Sequence, residues 1–313
     1  MAKKLRAPFP FFGGKYRVAD VIWRRFGDVG SYLEPFCGSC AVLLARPDDH
    51  AREYEAVNDA DGFIVNFWRA VQRDPEQTAH YAYNPPFECD YHARHAWVNN
   101  QRTELVERIE GDPDYYDVKI AGWWVWCQGM RVTSFCNRDG AWHVVDGKLV
   151  KIPKSGERCN GIDRSLPLFA RRPIGIANKS LGEIIDWFHR LADRLKQVCV
   201  ACGDWTRILG KSFTVLHGTV GVFLDPPYKP NLRCKSLYSV DADCSDQVRK
   251  WAIEHGENPA FRICLAGFAD EHEMPSNWTV YRWTGLGLGA IRGKPNRFKE
   301  TLWFSPHCLK DDD

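Results

Sequence analysis

Short β-prone apolar runs alternate with longer stretches in which apolar residues return every three or four positions, and this alternation governs both ends of the chain. Val220–Leu224 carries no charged side chain, as expected of a strand buried on both faces of a sheet, and Pro226 and Pro227, which have no backbone donor, stop it at Asp225. Similar short runs predict strands over 31–34, 53–57, 198–201, 262–268, 278–283 and 300–305. Helical spacing is predicted over 16–26 (Val18, Val21, Ile22, Trp23), from Ala41 onward, over 62–73 (Phe63, Ile64, Phe67, Trp68, Val71) and over 180–197 (Leu181, Ile184, Ile185, Phe188, Leu191, Leu195). From about 74 to 182 the alternation stops. Two helix-like stretches, 91–109 and 114–129, lead to β-prone runs on either side of Asn137-Arg138-Asp139-Gly140, which signals a hairpin. The fold class expected is α/β: a Rossmann-like domain formed by residues 1–75 and 183–313, with a mostly helical plus hairpin insert at 76–182.

With 313 residues and 44% hydrophobic side chains, the chain can bury one large α/β core and a smaller one. Forty-two basic residues against 40 acidic ones leave a net charge of +2, so any affinity for nucleic acid must come from local segregation of charge. The insert provides it: Arg131, Arg138, Lys148, Lys151, Lys154, Arg158, Arg164, Arg171 and Arg172 dominate a stretch poor in acids. Such a run is either a surface for phosphates or a solvated face. No apolar stretch approaches the length of a membrane span or a signal segment, so a cytoplasmic location and no membrane partner are expected. Twelve cysteines in a long chain of this kind read as reduced thiols. The pairs Cys37/Cys40 and Cys199/Cys202 sit in a small-residue turn and an apolar run, and His80, Cys89, His92 and His95 lack zinc-finger spacing; no metal is expected.

The candidate chemistry is concentrated at Asp225-Pro226-Pro227-Tyr228. Ligands of open α/β sheets bind at the carboxyl ends of the strands, where this run delivers a carboxylate, carbonyls held rigid by the prolines and an aromatic ring. A site made only of acceptors suits an amine on a flat ring, whose N–H groups it can hold while Tyr228 stacks on the ring. The alternative is a plain strand-ending turn. Two glycines precede Lys15 at a helix start, small residues follow Glu34-Pro35-Phe36-Cys37-Gly38, and Asp59 follows the second predicted strand, where an acid can accept from ribose hydroxyls or cap a helix.

Together these motifs, in this order, resemble the amino-methyltransferases, and most closely the Dam-type DNA adenine-N6 methyltransferases of bacteria and phages. The resemblance covers roughly 8–75 and 183–305. It implies S-adenosylmethionine as cofactor, double-stranded DNA as partner, and a flipped adenine as the methyl acceptor, a modification that also occurs in restriction–modification systems. Asp225, Pro226, Pro227 and Tyr228 would be the catalytic residues. Phe11, Gly14 and Lys15 match the family's amino-terminal motif, Glu34, Phe36 and Gly38 its Glu-Pro-Phe motif, and Asp59, Asp204 and Trp205 its ribose and adenine contacts, all in the cofactor site. Cys40 stands where the family has a second glycine, and Asp61 replaces an asparagine. For DNA, Arg131, Asn137, Arg138, Lys151 and Lys154 are the candidates, Asn137 and Arg138 at the hairpin tip for base edges and the others for phosphates. The competing readings are a methyltransferase acting on cytosine N4, RNA adenine or a glutamine side chain, and a non-catalytic DNA-binding protein that retains the fold.

Overall fold

Alternate residues of the central strands enter opposite cores. Tyr32, Val57, Phe223, Cys264 and Ala266 pack on one side of the sheet, and Leu33, Ala56, Val222, Leu224, Ile263 and Leu265 on the other. This is the period-two partition of a sheet buried on both faces. The protein is described from a computed structural model, which covers residues 5–9, 11, 14–130, 142–145, 148–151, 175–176, 178–210, 218–228, 244–269, 271–284 and 299–310. Its strands are β1 (Ser31–Glu34), β2 (Tyr54–Asp59), β3 (Trp142–Val145), β4 (Lys148–Lys151), β5 (Val198–Cys202), β6 (Val220–Leu224), β7 (Phe261–Phe268), β8 (Thr279–Thr284) and β9 (Lys299–Phe304). Seven form one sheet in the order β5-β2-β1-β6-β7-β9-β8. The first five of that order are parallel, while β9 runs antiparallel to both β7 and β8.

The helices are α1 (Ala19–Phe26), α2 (Gly62–Arg73), α3 (Pro75–Ala82), α4 (Glu88–Asn100), α5 (Arg102–Gly111), α6 (Val118–Gly129), α7 (Leu181–Leu195) and α8 (Ser245–Gly256). Apolar residues of α1, α2 and α7 share the first core, and Val248 and Ala252 of α8 enter the second. Helices α3 to α6 continue the first core through Ala79, Tyr91, Leu105, Ile120 and Trp124. Asn66, fully buried on α2, exchanges hydrogen bonds with the backbone of Asp117 at the start of α6 (2.9 and 2.8 Å) and fixes that helix against the sheet layer.

One buried ion cluster joins the two halves of the α/β domain across the intervening insert. Glu55 on β2 accepts from Arg46 (3.0 Å) and, through both carboxylate oxygens, from Arg194 on α7 (2.6 and 2.7 Å). Arg46 also donates to the carbonyls of Val29 and Ala51, and Arg194 to that of Leu43 (3.0 Å).

Several predicted elements shift. The helix expected from Ala41 is only a 3-10 turn, Leu43–Ala45, because Arg46 precedes a proline and is held extended (φ −54°, ψ 130°). The helix expected over 91–109 divides at Gln101 into α4 and α5, and the one over 114–129 starts at Val118, where Asp117 caps it by accepting from the Ile120 N–H (2.8 Å). Ser180 and Glu183 form a reciprocal capping box at α7. A hairpin not expected from the sequence pairs β3 antiparallel with β4 on either side of Asp146 and Gly147, a sequence that favours a tight turn. The turn expected at 137–140 lies outside the described residues, as do Arg131, Asn137, Arg138 and Lys154, while Lys151 ends β4 opposite Trp142. No helix among the described residues is long and apolar enough to cross a membrane.

Candidate active site at the carboxyl ends of the central strands

Chain direction around the sheet reverses at β1, with β2 on one side of it and β6 on the other. Beyond their carboxyl ends such neighbours leave a crevice, and Glu34, Asp59 and Asp225 lie at these three ends.

Lys15 joins the amino-terminal motif to the tetrapeptide from 210 residues away. Its ammonium, 3% exposed, donates to both Asp225 oxygens (2.9 and 2.8 Å) and to the Tyr228 hydroxyl oxygen (3.1 Å). It also lies 5.5 Å from the centre of the Tyr228 ring. Burial raises the Asp225 carboxyl above its usual range, against the pull of Lys15. Tyr228 also meets Phe268, at the end of β7, with ring centres 4.3 Å apart and edge to face. Tyr228 is thereby held between the Lys15 ammonium and the Phe268 ring.

The loop after β1 is tied to the ends of β2 and β5. Asp59 accepts from the Gly38 N–H (2.9 Å) and the Asp61 N–H (2.9 Å), and the Asn58 amide donates to the carbonyls of Pro35 (3.1 Å) and Gly203 (3.0 Å). Gly38 has φ +44°, and a Cβ there would fall 2.4 Å from the Phe11 ring, so only glycine lets Phe11 cover this turn. Cys40 is also in the left-handed region (φ +50°), so the backbone form natural to a glycine persists with a buried cysteine in its place. Asp61 caps α2 by accepting from the Phe63 N–H (3.0 Å) and pairs with Arg102 (3.2 Å). Past β5, Asp204 is exposed and caps the turn Trp205–Ile208, accepting from the Thr206 N–H (3.0 Å). Trp205 stacks on Phe36, with ring centres 6.3 Å apart and 23° between planes. Gly14 opens the turn that carries Lys15 and donates to the Phe11 carbonyl (3.2 Å).

Glu34 is 2% exposed and accepts from the Tyr32 hydroxyl (3.0 Å) and the Leu43 N–H (3.3 Å). Burial pushes its carboxyl up to about 8, with Asp225 and Asp59 adding to the rise. Burial likewise pushes Asp59 up to about 7. In the unfolded chain both groups titrate near ~4. The folded state thus binds their protons more tightly, and the stability they contribute is full below about pH 4 and is lost as pH rises toward 8. Without cofactor, the urea midpoint is expected to fall between pH 5 and pH 8; a flat or rising midpoint would contradict this assignment of buried acids.

Two residues of the cluster were not singled out from sequence. Phe268 and Glu300 face each other across the β7–β9 pairing, and Glu300 lies 3.7 Å from the Lys15 ammonium. A charged residue leading the apolar strand Thr301-Leu302-Trp303-Phe304 was the available signal. Cys37 and Cys40 are buried free thiols, and no group among the described residues could hold a metal ion.

A seven-stranded sheet of this order, with a reversed strand inserted at one edge and its acids gathered at the switch point, is that of the Rossmann-like methyltransferases. Residues 11–111 match the family model of the D12 class N6 adenine-specific DNA methyltransferases, in agreement with the Dam-type resemblance. That family methylates adenine N6 in DNA and implies S-adenosylmethionine as the methyl source. No curated protein matches the chain.

Proposed function

We propose that the chain transfers a methyl group from S-adenosylmethionine to the exocyclic amine of an adenine turned out of duplex DNA. The observation that carries this reading is the Lys15–Asp225–Tyr228 cluster at the end of β6, beside the loops of β1 and β2. Residues 1–75 and 183–313 form the catalytic domain in this reading, and 76–182 the target-recognition insert.

The crevice suits the proposed cofactor. Asp225 and Asp59 both add to the rise of the Glu34 carboxyl, so negative charge is disfavoured here and a cationic sulfonium would relieve it. Gly38 allows close approach of the backbone, Asp59 retains lone pairs for ribose hydroxyls, and Phe36 and Trp205 offer aromatic surface to an adenine, with Asp204 beside them. Phe11, Gly14, Lys15 and Glu34 complete the proposed cofactor wall. When bound, S-adenosylmethionine supplies an electrophilic methyl group on positively charged sulfur.

The chain's own part is positioning and electrostatics. Asp225 and the Pro226 carbonyl accept the two N–H groups of the target amine, which frees its lone pair from the ring and aims it at the methyl carbon. Tyr228, backed by Phe268, holds the flat base. An adenine in a duplex presents neither its amine nor its faces, so the base must leave the stack at a cost of a few kcal/mol, on the order of one or two lost stacking contacts. The basic insert is proposed to follow the DNA, with Arg131, Lys151 and Lys154 at phosphates and Asn137 and Arg138 at base edges. Asp225 favours adenine over the competing amines, since the cytosine and glutamine enzymes more often carry Ser or Asn at that position.

Expression in cells that lack adenine methylation, followed by sequencing that detects modified bases, tests this reading. Methylated adenines should appear in chromosomal DNA. Unmodified adenine in cells that contain the folded protein would overturn it.

A further inference from the structure

Glu300 is the charged group of this cluster with no part yet in the chemistry. It stands opposite Phe268 on β7, and its side chain is 14% exposed. Its Oε2 lies 3.7 Å from the Lys15 ammonium and has no hydrogen-bond partner among the described residues. Burial raises its carboxyl, with Lys15 opposing and Asp225 adding to the rise. A buried carboxylate costs several kcal/mol unless it is paired. Lys15 is a cation within its reach, and its ammonium donates to Asp225 and Tyr228.

We propose that Glu300 is a positioning residue for methyl transfer: it takes up the Lys15 ammonium when the target amine engages Asp225. This inference rests on the function proposed above. An ammonium has three N–H donors, and the geometry directs two to the Asp225 oxygens and one to Tyr228. An amine arriving at Asp225 brings one N–H to these oxygens, which can accept it beside Lys15, but two donors sharing one carboxylate each hold it less strongly. A second anion that draws Lys15 aside therefore tightens the grip of Asp225 on the amine. Glu300 offers one less than 1 Å beyond hydrogen-bond distance, so that a small rotation of the lysine side chain completes the exchange.

The same arrangement balances charge through the reaction. As the amine lone pair forms the N–C bond, the S–C bonding pair stays on sulfur, and the positive charge passes to the amine nitrogen. That nitrogen then loses a proton to the Asp225 carboxylate, which hands it to solvent. While Asp225 is protonated, Lys15 and Glu300 form a neutral pair. With glutamine at 300 that anion is gone and Lys15 remains on Asp225, where it weakens both the grip on the amine and the acceptance of the proton.

The experiment is single-turnover methyl transfer by the purified full chain to duplex DNA, with labelled S-adenosylmethionine, for wild type, Glu300→Gln and Glu300→Asp. Glu300→Gln should lower the rate by about 10–100-fold while the dissociation constants for cofactor and DNA stay within about threefold of wild type, the mark of an interaction made during the chemical step. Glu300→Asp keeps the charge and should exceed the glutamine variant several-fold. Melting curves compare the three proteins. A glutamine variant that does not fold, one that loses binding in place of rate, or an aspartate variant no faster than it, would show a structural role and overturn the proposal. A methylating wild type matched by Glu300→Gln overturns the role of Glu300 alone, whereas a wild type that leaves adenine unmethylated overturns the functional reading itself.

Discussion

Asp225→Ala is expected to lower the rate of methyl transfer on the order of 10²–10³-fold, the usual loss when one preorganised electrostatic partner of a transition state is removed. The side chain is the main acceptor for the amine, and it is also the anion that Lys15 grips with two short hydrogen bonds. Its removal leaves a buried ammonium facing the place where positive charge must develop, so the loss combines a missing acceptor with an added repulsion. Asp225→Asn, which keeps one carbonyl oxygen and the shape, should lie between wild type and alanine. Binding of S-adenosylmethionine, followed by calorimetry, should change far less than turnover. Near-normal turnover by the alanine variant would remove the basis for placing the amine at this carboxylate.

Glu55→Ala should be the most destabilising single change near the sheet, at about 3–5 kcal/mol, because it leaves two guanidinium groups in the interior without their counterion. The Arg46 side chain is fully buried and that of Arg194 nearly so. Their remaining bonds, to the carbonyls of Val29, Ala51 and Leu43, do not neutralise charge. A replacement of all three by well-packed apolar residues should cost much less than the single change, since burying the pair offsets much of its own attraction. Equilibrium urea unfolding measures the difference. A loss below about 1 kcal/mol for Glu55→Ala would place the cluster with surface ion pairs. Activity should fall only with the folded fraction, which separates this variant from Asp225→Ala.

The parts of the fold legible in the sequence were those whose side chains face apolar surroundings on both sides or on one clear stripe. Strands β1 and β6 and helix α2 fall where their patterns put them. Helix α3 was missed although Asp74 and Pro75 mark its start, with Asp74 accepting from the Gln77 N–H, because its polar face hides the short apolar stripe. Helix α8 has only Val248 and Ala252 in the core and reads as a polar stretch. Within the site, each motif was visible locally, whereas the pairing of Lys15 with Asp225 was not, since it depends on which strand ends the topology makes neighbours. Glu300 was hidden for the same reason, its strand reaching the site only by insertion between β7 and β8. Asp59 was read as a ribose acceptor or a helix cap, and its hydrogen bonds to the Gly38 and Asp61 N–H groups show that the carboxylate holds the loop after β1 in shape.

The central claim is the identity of the methylated atom, and nucleoside mass spectrometry of DNA incubated with the purified chain and S-adenosylmethionine reports it directly. The account predicts N6-methyladenine as the modified nucleoside, lost in the Asp225→Ala reaction. N4-methylcytosine, or DNA without any new methylated nucleoside, would contradict it.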